Sequence, residues 1–442
     1  MPKVKRSRRI ALLLIVLSSG ISILWGSIIA RNSPGGLTDF IAVYYGARCL
    51  IQHTDPYQPA DFLHAYQAGG RIVPAEPMMS DLFRRAVLVC VNLPTTLFFL
   101  LPFALLPLLP AYMVWAALMA VGLIASAFLM WDAAAGASPR LALFLVCFVV
   151  ANCVILFADG NTACIVISLC VVAVWCFLRD RFVSAGVVCL AICLAIKPHD
   201  AGLVWLYFLL AGGVYRKRAL QTLLVTVVLC LPVVLWVSHA VPNWLPELRL
   251  NLQASSARGG LNDPGPAAIG FHHPDPIIDL QAAVSVLRDE PRIYVPACYV
   301  VSGTLLVIWA WTTVRSPFSQ DRAWLALAAI SALTMLVGYH RQHDAKLLLL
   351  TIPACAMLWA ERGAVGWFAL LVNSAALFIT ADIPATELGI LAEKVSLGPG
   401  FLGHLKAAML VRPAPTILLV MAIFYLCVYM HRAGDFRANL AC

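Results

Sequence analysis

A carboxylate and a group of cations stand at the ends of apolar runs that are far apart along this chain. Asp39 opens "TDFIAVYYGARCLIQHTDPYQP" (38–59), Lys197 and His199 lie in "IKPHD" (196–200), and Arg341 and His343 lie in "YHRQHDAK" (339–346). "ADGN" (158–161) adds Asp159 and Asn161, and Asp200, Asp344 and Lys346 complete the group. A carboxylate in such company can accept a proton from an attacking hydroxyl. Cations opposite it can stabilise the charge that grows on a departing phosphate. Arg would grip phosphate oxygens with paired donors, while Lys would supply a point charge. Together these residues suit group transfer from a lipid-linked phosphate.

Each of them also has a plainer reading. Lys197 could be an anchor that snorkels to the interface, although Pro198 after it breaks the helix there. His343 could be a satisfied structural histidine within a solvated loop. Thr38 or Asp39 could cap a helix. Tyr44 and Tyr45 could belong to an interfacial aromatic belt or could stack on a sugar. "TDPYQP" is a turn on any reading, because Asp-Pro favours turn initiation.

The elements that must position these groups are membrane helices. The chain has 442 residues, of which 62% are hydrophobic and 12% charged. Its mean hydropathy is +0.86. A soluble domain is about a quarter charged. The net charge of +9 sits largely in short basic loops, as the orientation rule for membrane proteins requires, so no nucleic-acid partner is implied. Most of the 14 cysteines lie inside apolar spans and act as small hydrophobes. Without a C-x-x-C pair, neither a disulfide framework nor a zinc site is expected.

Apolar spans are expected at 10–30, 183–196, 201–214, 219–238, 295–314, 323–339, 345–360, 364–380 and 414–431. The basic segments "RDR" (179–181), "YRKR" (215–218), "RSPFSQDR" (315–322), "ERG" (361–363) and "HRAGDFR" (431–437) read as cytoplasmic. Alternation then places 31–86, 196–200, 239–294, 339–346 and 381–413 outside. Between 86 and 179 the number of crossings must be odd, yet four apolar stretches occur: 87–110, 111–131, 141–157 and 162–178. Stretch 87–110 is the weakest helix, because it carries Pro94, Pro102, Pro107 and Pro110. The expectation is an all-α, polytopic transmembrane bundle of about twelve helices, forming one domain over 1–442. Both termini would be cytoplasmic, and the external loops would carry short helices. Loop 239–294 should hold little regular structure beyond a helix near 277–289.

These residues resemble the polytopic glycosyltransferases of family 87, in the GT-C superfamily. The resemblance lies in "TDFIAVYYGARCLIQHTDPYQP", "LPTTLFFLLPFALLPLLP", "AGVVCLAICLAIKPHDAGLVWLYFLLAGGVYRKRAL" and "YHRQHDAKLLLLTIPA". It implies a GT-C-like fold in the cell membrane (inner or plasma), catalysis on the external face, and a polyprenyl-phosphate sugar donor, often mannose. It also implies inverting transfer with no metal and no cofactor. The partners implied are a lipid or glycan acceptor and membrane lipids. The family's catalytic aspartate maps onto Asp39. Its donor-phosphate site maps onto Lys197 and the neighbourhood of His343, with Arg341. Tyr44, Tyr45, Asp159, Asn161 and His199 are candidates for binding sugar or acceptor. "ADGNTA" departs from the Gly-Gln-Asn type of motif expected there and brings a second carboxylate, Asp159.

Two other classes fit the composition. A lipid or solute transporter would place its charges near the midplane between internal repeats; here they gather at one face and no repeat is visible. A ligase or phosphotransferase acting on lipid diphosphates would need similar cations. The absence of D-x-D, H-E-x-x-H, P-loop and G-x-S-x-G motifs disfavours enzymes that consume cytosolic nucleotides.

Overall fold

The computed structural model describes residues 2–33, 36–266, 276–393 and 401–441. Among these the chain is helical, and its one extended pairing is an antiparallel bridge between Ile277 and Arg341. The long α1 (Pro2–Asn32) is followed by three short helices, α2 (Thr38–Ile51), α3 (Pro59–Ala68) and α4 (Pro77–Ala86). Next come α5 (Pro94–Ala104), α6 (Leu108–Ala134), and α7 (Pro139–Ala151) with its continuation α8 (Val154–Asp159). Short apolar helices α9 (Ala163–Leu178), α10 (Val183–Ile196) and α11 (Pro198–Leu210) precede the long α12 (Gly213–Ala240). After α13 (Trp244–Ser256) and α14 (Leu280–Leu287), α15 (Pro291–Arg315) and α16 (Gln320–Val337) return to the bundle. A ten-residue 3₁₀ helix, Gln342–Thr351, runs into α17 (Ile352–Ala360). The chain closes with α18 (Ala364–Ile379), α19 (Asp382–Glu393), α20 (Phe401–Leu410) and α21 (Pro413–Ala441).

Many of these boundaries follow from proline. Pro sits in the first turn of α3, α4, α5, α7, α11, α15 and α17, where its missing N–H costs nothing and its φ suits a helix. Pro198 both ends α10 and starts α11. The freed carbonyls at the end of α10 find partners across the fold: Thr95 Oγ1 donates to the Ala195 carbonyl, and Thr96 Oγ1 to that of Ile196.

Among the described residues, six helices can cross a membrane by length and composition: the segments Ser7–Asn32, Leu108–Ala134, Pro139–Asp159, Gly213–Ala240, Pro291–Arg315 and Pro413–Ala433. A seventh is possible if α18 and the start of α19, bent by 75°, form one span. The expected count of about twelve is not carried by helix length alone, because the other apolar helices are shorter. Within the proline-rich stretch 87–110, α5 begins beside the end of α10 and is followed by Leu106, whose carbonyl accepts from Tyr44 Oη at 2.7 Å. With 11 residues, α5 reaches about 16 Å, well short of a hydrocarbon layer of about 30 Å. Loop 239–294 also holds more order than expected: besides α14 it contains the 13-residue α13.

α16 is buried on every face from Arg322 to Leu336, as befits a helix that is apolar all round. α1, α12 and α15 expose Leu17, Leu24, Leu224, Val228, Val300 and Val307, which form outward faces suited to lipid. Basic residues tie the far end of the bundle together. Arg8 pairs with Asp132 at 2.8 Å, Arg179 donates to the Asp132 carbonyl, and Arg218 pairs with Asp180.

Lys346 is buried in the 3₁₀ helix, where its ammonium donates to Asp382 Oδ1 at 2.7 Å and to the Thr380 carbonyl at 2.8 Å. Asp382 Oδ2 accepts from the Ile155 N–H at 2.8 Å. This cation is a tether between three segments. Removing one partner of a buried pair leaves an uncompensated charge, at a cost of about 3–5 kcal/mol. Lys346→Met is therefore expected to lower unfolding stability in detergent by that amount, measured by denaturant titration, whereas a surface change such as Lys217→Met should leave it unchanged.

Candidate active site

The polar groups of four separated segments meet at the end of the bundle opposite the Arg8–Asp132 pair. Asp39 stands in the first turn of α2 and is half-buried. Neither Thr38 nor Asp39 caps the helix: the cap position is Leu37, in the left-handed region at φ 64, with its N–H bonded to the Ala158 carbonyl at 2.8 Å. The Asp39 carboxylate is directed elsewhere. Its Oδ2 lies 2.5 Å from Asn161 Nδ2. The Asn161 amide is oriented by its own oxygen, which accepts from the Ala163 N–H at 2.7 Å. Its Nδ2 therefore faces both Asp39 and His343 Nε2, the latter at 3.1 Å.

From His343 the contacts continue without a break. His343 Nε2 is 3.3 Å from Asp344 Oδ1, and the same oxygen accepts from Lys197 Nζ at 2.8 Å. Lys197 Nζ is also 3.6 Å from Asp200 Oδ2. Burial alone would push the Lys197 ammonium towards the neutral form. The carboxylates of Asp200 and Asp344 more than reverse this and hold its pKa above the ordinary lysine value. Asp39 and Lys197, expected on two sides of one site, are thus linked through Asn161, His343 and Asp344.

Other expected residues are placed differently. Tyr44 and Tyr45 are fully buried. The Tyr44 hydroxyl donates to Leu106, and the Tyr45 ring packs edge-on against Tyr44 and Tyr66 at 5.0 and 5.1 Å. Neither ring offers a free face to a sugar, because α2 is covered on that side by α5 and the loop helices. Arg341 is turned into loop 239–294. Its Nη2 donates to the Leu261 carbonyl at 2.8 Å and lies 3.3 Å from Asn262 Oδ1, and its Nε donates to the Tyr339 hydroxyl at 2.5 Å. It secures the wall of the site rather than lining it as a phosphate clamp. Asp159 closes α8 and is partly buried, and Asn161, two residues on, makes the contact to Asp39. His199 is 43% exposed at the rim, with Nε2 3.5 Å from Asp200 Oδ1.

His340 has a place in this arrangement that sequence reasoning missed. It is buried, with Nε2 3.4 Å from Asp200 Oδ1. Its three-residue spacing from His343 in "HRQH" was the available signal. The backbone pairs here as well: the Ile278 N–H donates to the His340 carbonyl at 2.9 Å and the Gln342 N–H to that of Pro276 at 3.1 Å. Loop 239–294 is fixed in turn to loop 31–86 by Asn251, whose Nδ2 donates to the Tyr57 and Cys90 carbonyls at 2.9 and 3.0 Å. The D-P-Y turn that presents Tyr57 is held by its own aspartate, since Asp55 Oδ1 accepts from the Tyr57 N–H at 2.8 Å.

The family model of glycosyltransferase family 87 matches residues 92–339, more than half of the chain. This chain belongs to glycosyltransferase family 87. It is therefore a glycosyltransferase, with several apolar helices able to span a membrane. The matched region contains Asn161 and Lys197, and it stops just short of His340. Comparison with curated proteins and with solved structures finds no match.

Gly160 is the pivot that lets Asn161 reach Asp39. It closes α8 at φ +65, and a Cβ there would lie 2.6 Å from Phe40 Cβ. A left-handed conformation costs a non-glycine residue about 1–2 kcal/mol, and the Phe40 contact adds to that. Gly160→Ala is expected to lower the unfolding free energy by at least about 2 kcal/mol, measured by denaturant titration in detergent. Gly136→Ala, where the added Cβ meets nothing within 4 Å, should be neutral.

Proposed function

We propose that this glycosyltransferase moves a hexose or pentose, with mannose as the first candidate, from a polyprenyl-phosphate donor to a lipid or glycan acceptor at the external face of the cell membrane. What carries the reading is the unbroken run of contacts from Asp39 to Lys197, which links a carboxylate to a partly buried, paired ammonium.

The lipid tail of the donor lies between helices, and its phosphate meets Lys197 and His343. The sugar projects towards Asp39, whose carboxylate receives the proton of the acceptor hydroxyl. The acceptor oxygen bonds to the anomeric carbon as the bond from that carbon to the phosphate oxygen breaks. Polyprenyl phosphate leaves with the electron pair, held by the ammonium. One displacement inverts the anomeric centre, so one base suffices and no covalent intermediate forms. Asn161 aligns Asp39 through its Nδ2, and the loop helices α3, α4 and α13 frame the acceptor side.

The orientation that goes with this reading has both termini in the cytoplasm. The basic ends that gather around Asp132 and Asp180 support it, because positive loops stay inside. Twelve traversals follow if the shorter helices α9, α10, α11, α16, the 3₁₀–α17 pair and α18 join the long ones.

The test uses proteoliposomes supplied with a radiolabelled polyprenyl phosphosugar and an acceptor lipid extract, with products separated chromatographically. Transfer yields a new labelled product; relocation of unchanged donor would favour a transporter instead. A polyprenyl-diphosphate donor should not substitute for the monophosphate. Asp39→Asn should lower turnover by about 10²–10⁴-fold with folding intact, and full activity in that variant would end the assignment. Lys197→Ala should weaken use of the donor more than use of the acceptor.

A further inference from the structure

Asp200 is 1% exposed, and neither oxygen of its carboxylate accepts a hydrogen bond. The two oxygens face different neighbours. Oδ2 looks towards the Lys197 ammonium at 3.6 Å, which is held more closely by Asp344 at 2.8 Å. Oδ1 looks towards two imidazoles, with His199 Nε2 at 3.5 Å and His340 Nε2 at 3.4 Å.

The protonation of His340 can be read from its other nitrogen. Nδ1 lies 3.1 Å from the Gly338 carbonyl oxygen, which can only accept, so Nδ1 carries the hydrogen. In the neutral ring Nε2 then presents a lone pair. That nitrogen is buried and has no hydrogen-bond partner, and it faces a carboxylate oxygen that has none either. Two acceptors at this distance repel unless a positive centre lies between them; a second proton on His340 would serve that one contact, whereas a metal ion would also engage His199 Nε2, which faces the same oxygen at 3.5 Å. The charges agree. Asp200 and Asp344 bring two negative charges, Lys197 brings one positive charge, and the Arg341 guanidinium is turned away into the loop. With neutral imidazoles, Lys197, Asp200 and Asp344 together carry one net negative charge.

We propose that His199, Asp200 and His340 bind one divalent transition-metal ion of the zinc class. In a tetrahedral zinc site with bonds of about 2.0–2.1 Å, neighbouring ligand atoms stand about 3.3 Å apart, close to both separations from Asp200 Oδ1. The three ligand atoms all lie within 4.8 Å of one another. The remaining gap lies between the two imidazoles, and His199, 43% exposed at the rim, is the ligand that would shift to close it. The Nδ1–H bond of His340 to a backbone carbonyl is the supporting contact that metal-bound histidines make, fixing the tautomer and aiming Nε2. Three protein ligands leave a position open for water or an anionic oxygen, reached from the exposed side of His199. The ion departs from the metal-free expectation of the family resemblance. It does not depend on the donor or acceptor assigned above.

The test is metal binding by the full-length protein, purified with a tag that contains no histidine and stripped with chelator. Titration with Co(II) should give visible d–d absorption that saturates at one ion per chain and is displaced by Zn(II). Elemental analysis after reloading should find one zinc per chain. His199→Ala, at an exposed position, should weaken the affinity at least 10-fold while the protein stays folded, and Asp200→Asn and His340→Ala should do the same or more. His64→Ala, at an exposed histidine outside the cluster, should bind as the wild type does. Wild-type protein that shows no saturable cobalt band and no stoichiometric zinc would overturn the proposal. So would unchanged affinity in both His199→Ala and His340→Ala, whether or not sugar transfer is detected.

Discussion

At the heart of this molecule one ammonium is shared between two buried carboxylates. Taking Lys197, Asp200 and Asp344 out of water costs several kcal/mol per ion, and only close mutual contact offsets this. That requirement disciplines the surrounding chain. Lys197 must sit at a break between helices so that its side chain can turn to both acids, and Pro198 makes the break. Asp200 falls in the first turn of α11, where the positive end of the helix dipole favours a carboxylate. Asp344 spends its second oxygen on the Arg341 N–H at 2.9 Å, which fixes the start of the 3₁₀ helix. The break also strands carbonyls at the end of α10, and Thr95 and Thr96 satisfy them, so the short proline-rich helix α5 has a structural task.

The long loops act as walls rather than connections. The segment around Ile277 adds a short extended pairing along His340–Gln342, and Arg341 reaches back into the same loop with its guanidinium. Asn251 ties α13 to the D-P-Y turn and to the stretch before α5. The site is thus enclosed by residues from both sizeable loops, each held by backbone carbonyls that would otherwise be unsatisfied. Burial of Asp200 and Asp344 behind these walls strengthens their interactions. The enclosure also means that the shape of this rim is set by the short helices α3, α4, α13 and α14 and by the turns between them.

Much of the positioning logic could be read from residues alone, and the failures have physical reasons. Asp39 and Lys197 were legible because each stands where an apolar run meets a helix signal, and chain alternation puts both at one end. The prolines of 87–110 announced a weak helix, and α5 has only 11 residues. Tyr44 and Tyr45 were not legible, because whether an aromatic on a short amphipathic helix faces a ligand or the core depends on what packs over it. Here α5 does, with the Leu106 carbonyl ready to accept from Tyr44. Arg341 was misplaced for a related reason: its partners are carbonyl and amide oxygens of a loop rich in Pro, Gly and Asn, and such partners leave no trace in spacing. His340 passed unnoticed beside the more suggestive His343. The number of crossings could not be confirmed from helix lengths, since several apolar helices here are too short to count by that measure.

The segment Gln342–Thr351 is short as well, but it is wound unusually. Ten residues of α-helix reach about 15 Å, whereas the same ten wound as a 3₁₀ helix reach about 20 Å. With the nine residues of α17 adding about 13 Å, the pair is long enough in sum to match a hydrocarbon layer of about 30 Å. The tighter coil therefore works as a spacer. Measured from its junction with α17, it raises His343 and Asp344 by about 4 Å over the same residues wound as α-helix, and so sets their height against the Lys197 break. Rewinding this stretch as ordinary α-helix would draw the histidine–aspartate pair down by roughly 4 Å, far enough to separate it from both Asn161 and Lys197 without changing a single side chain.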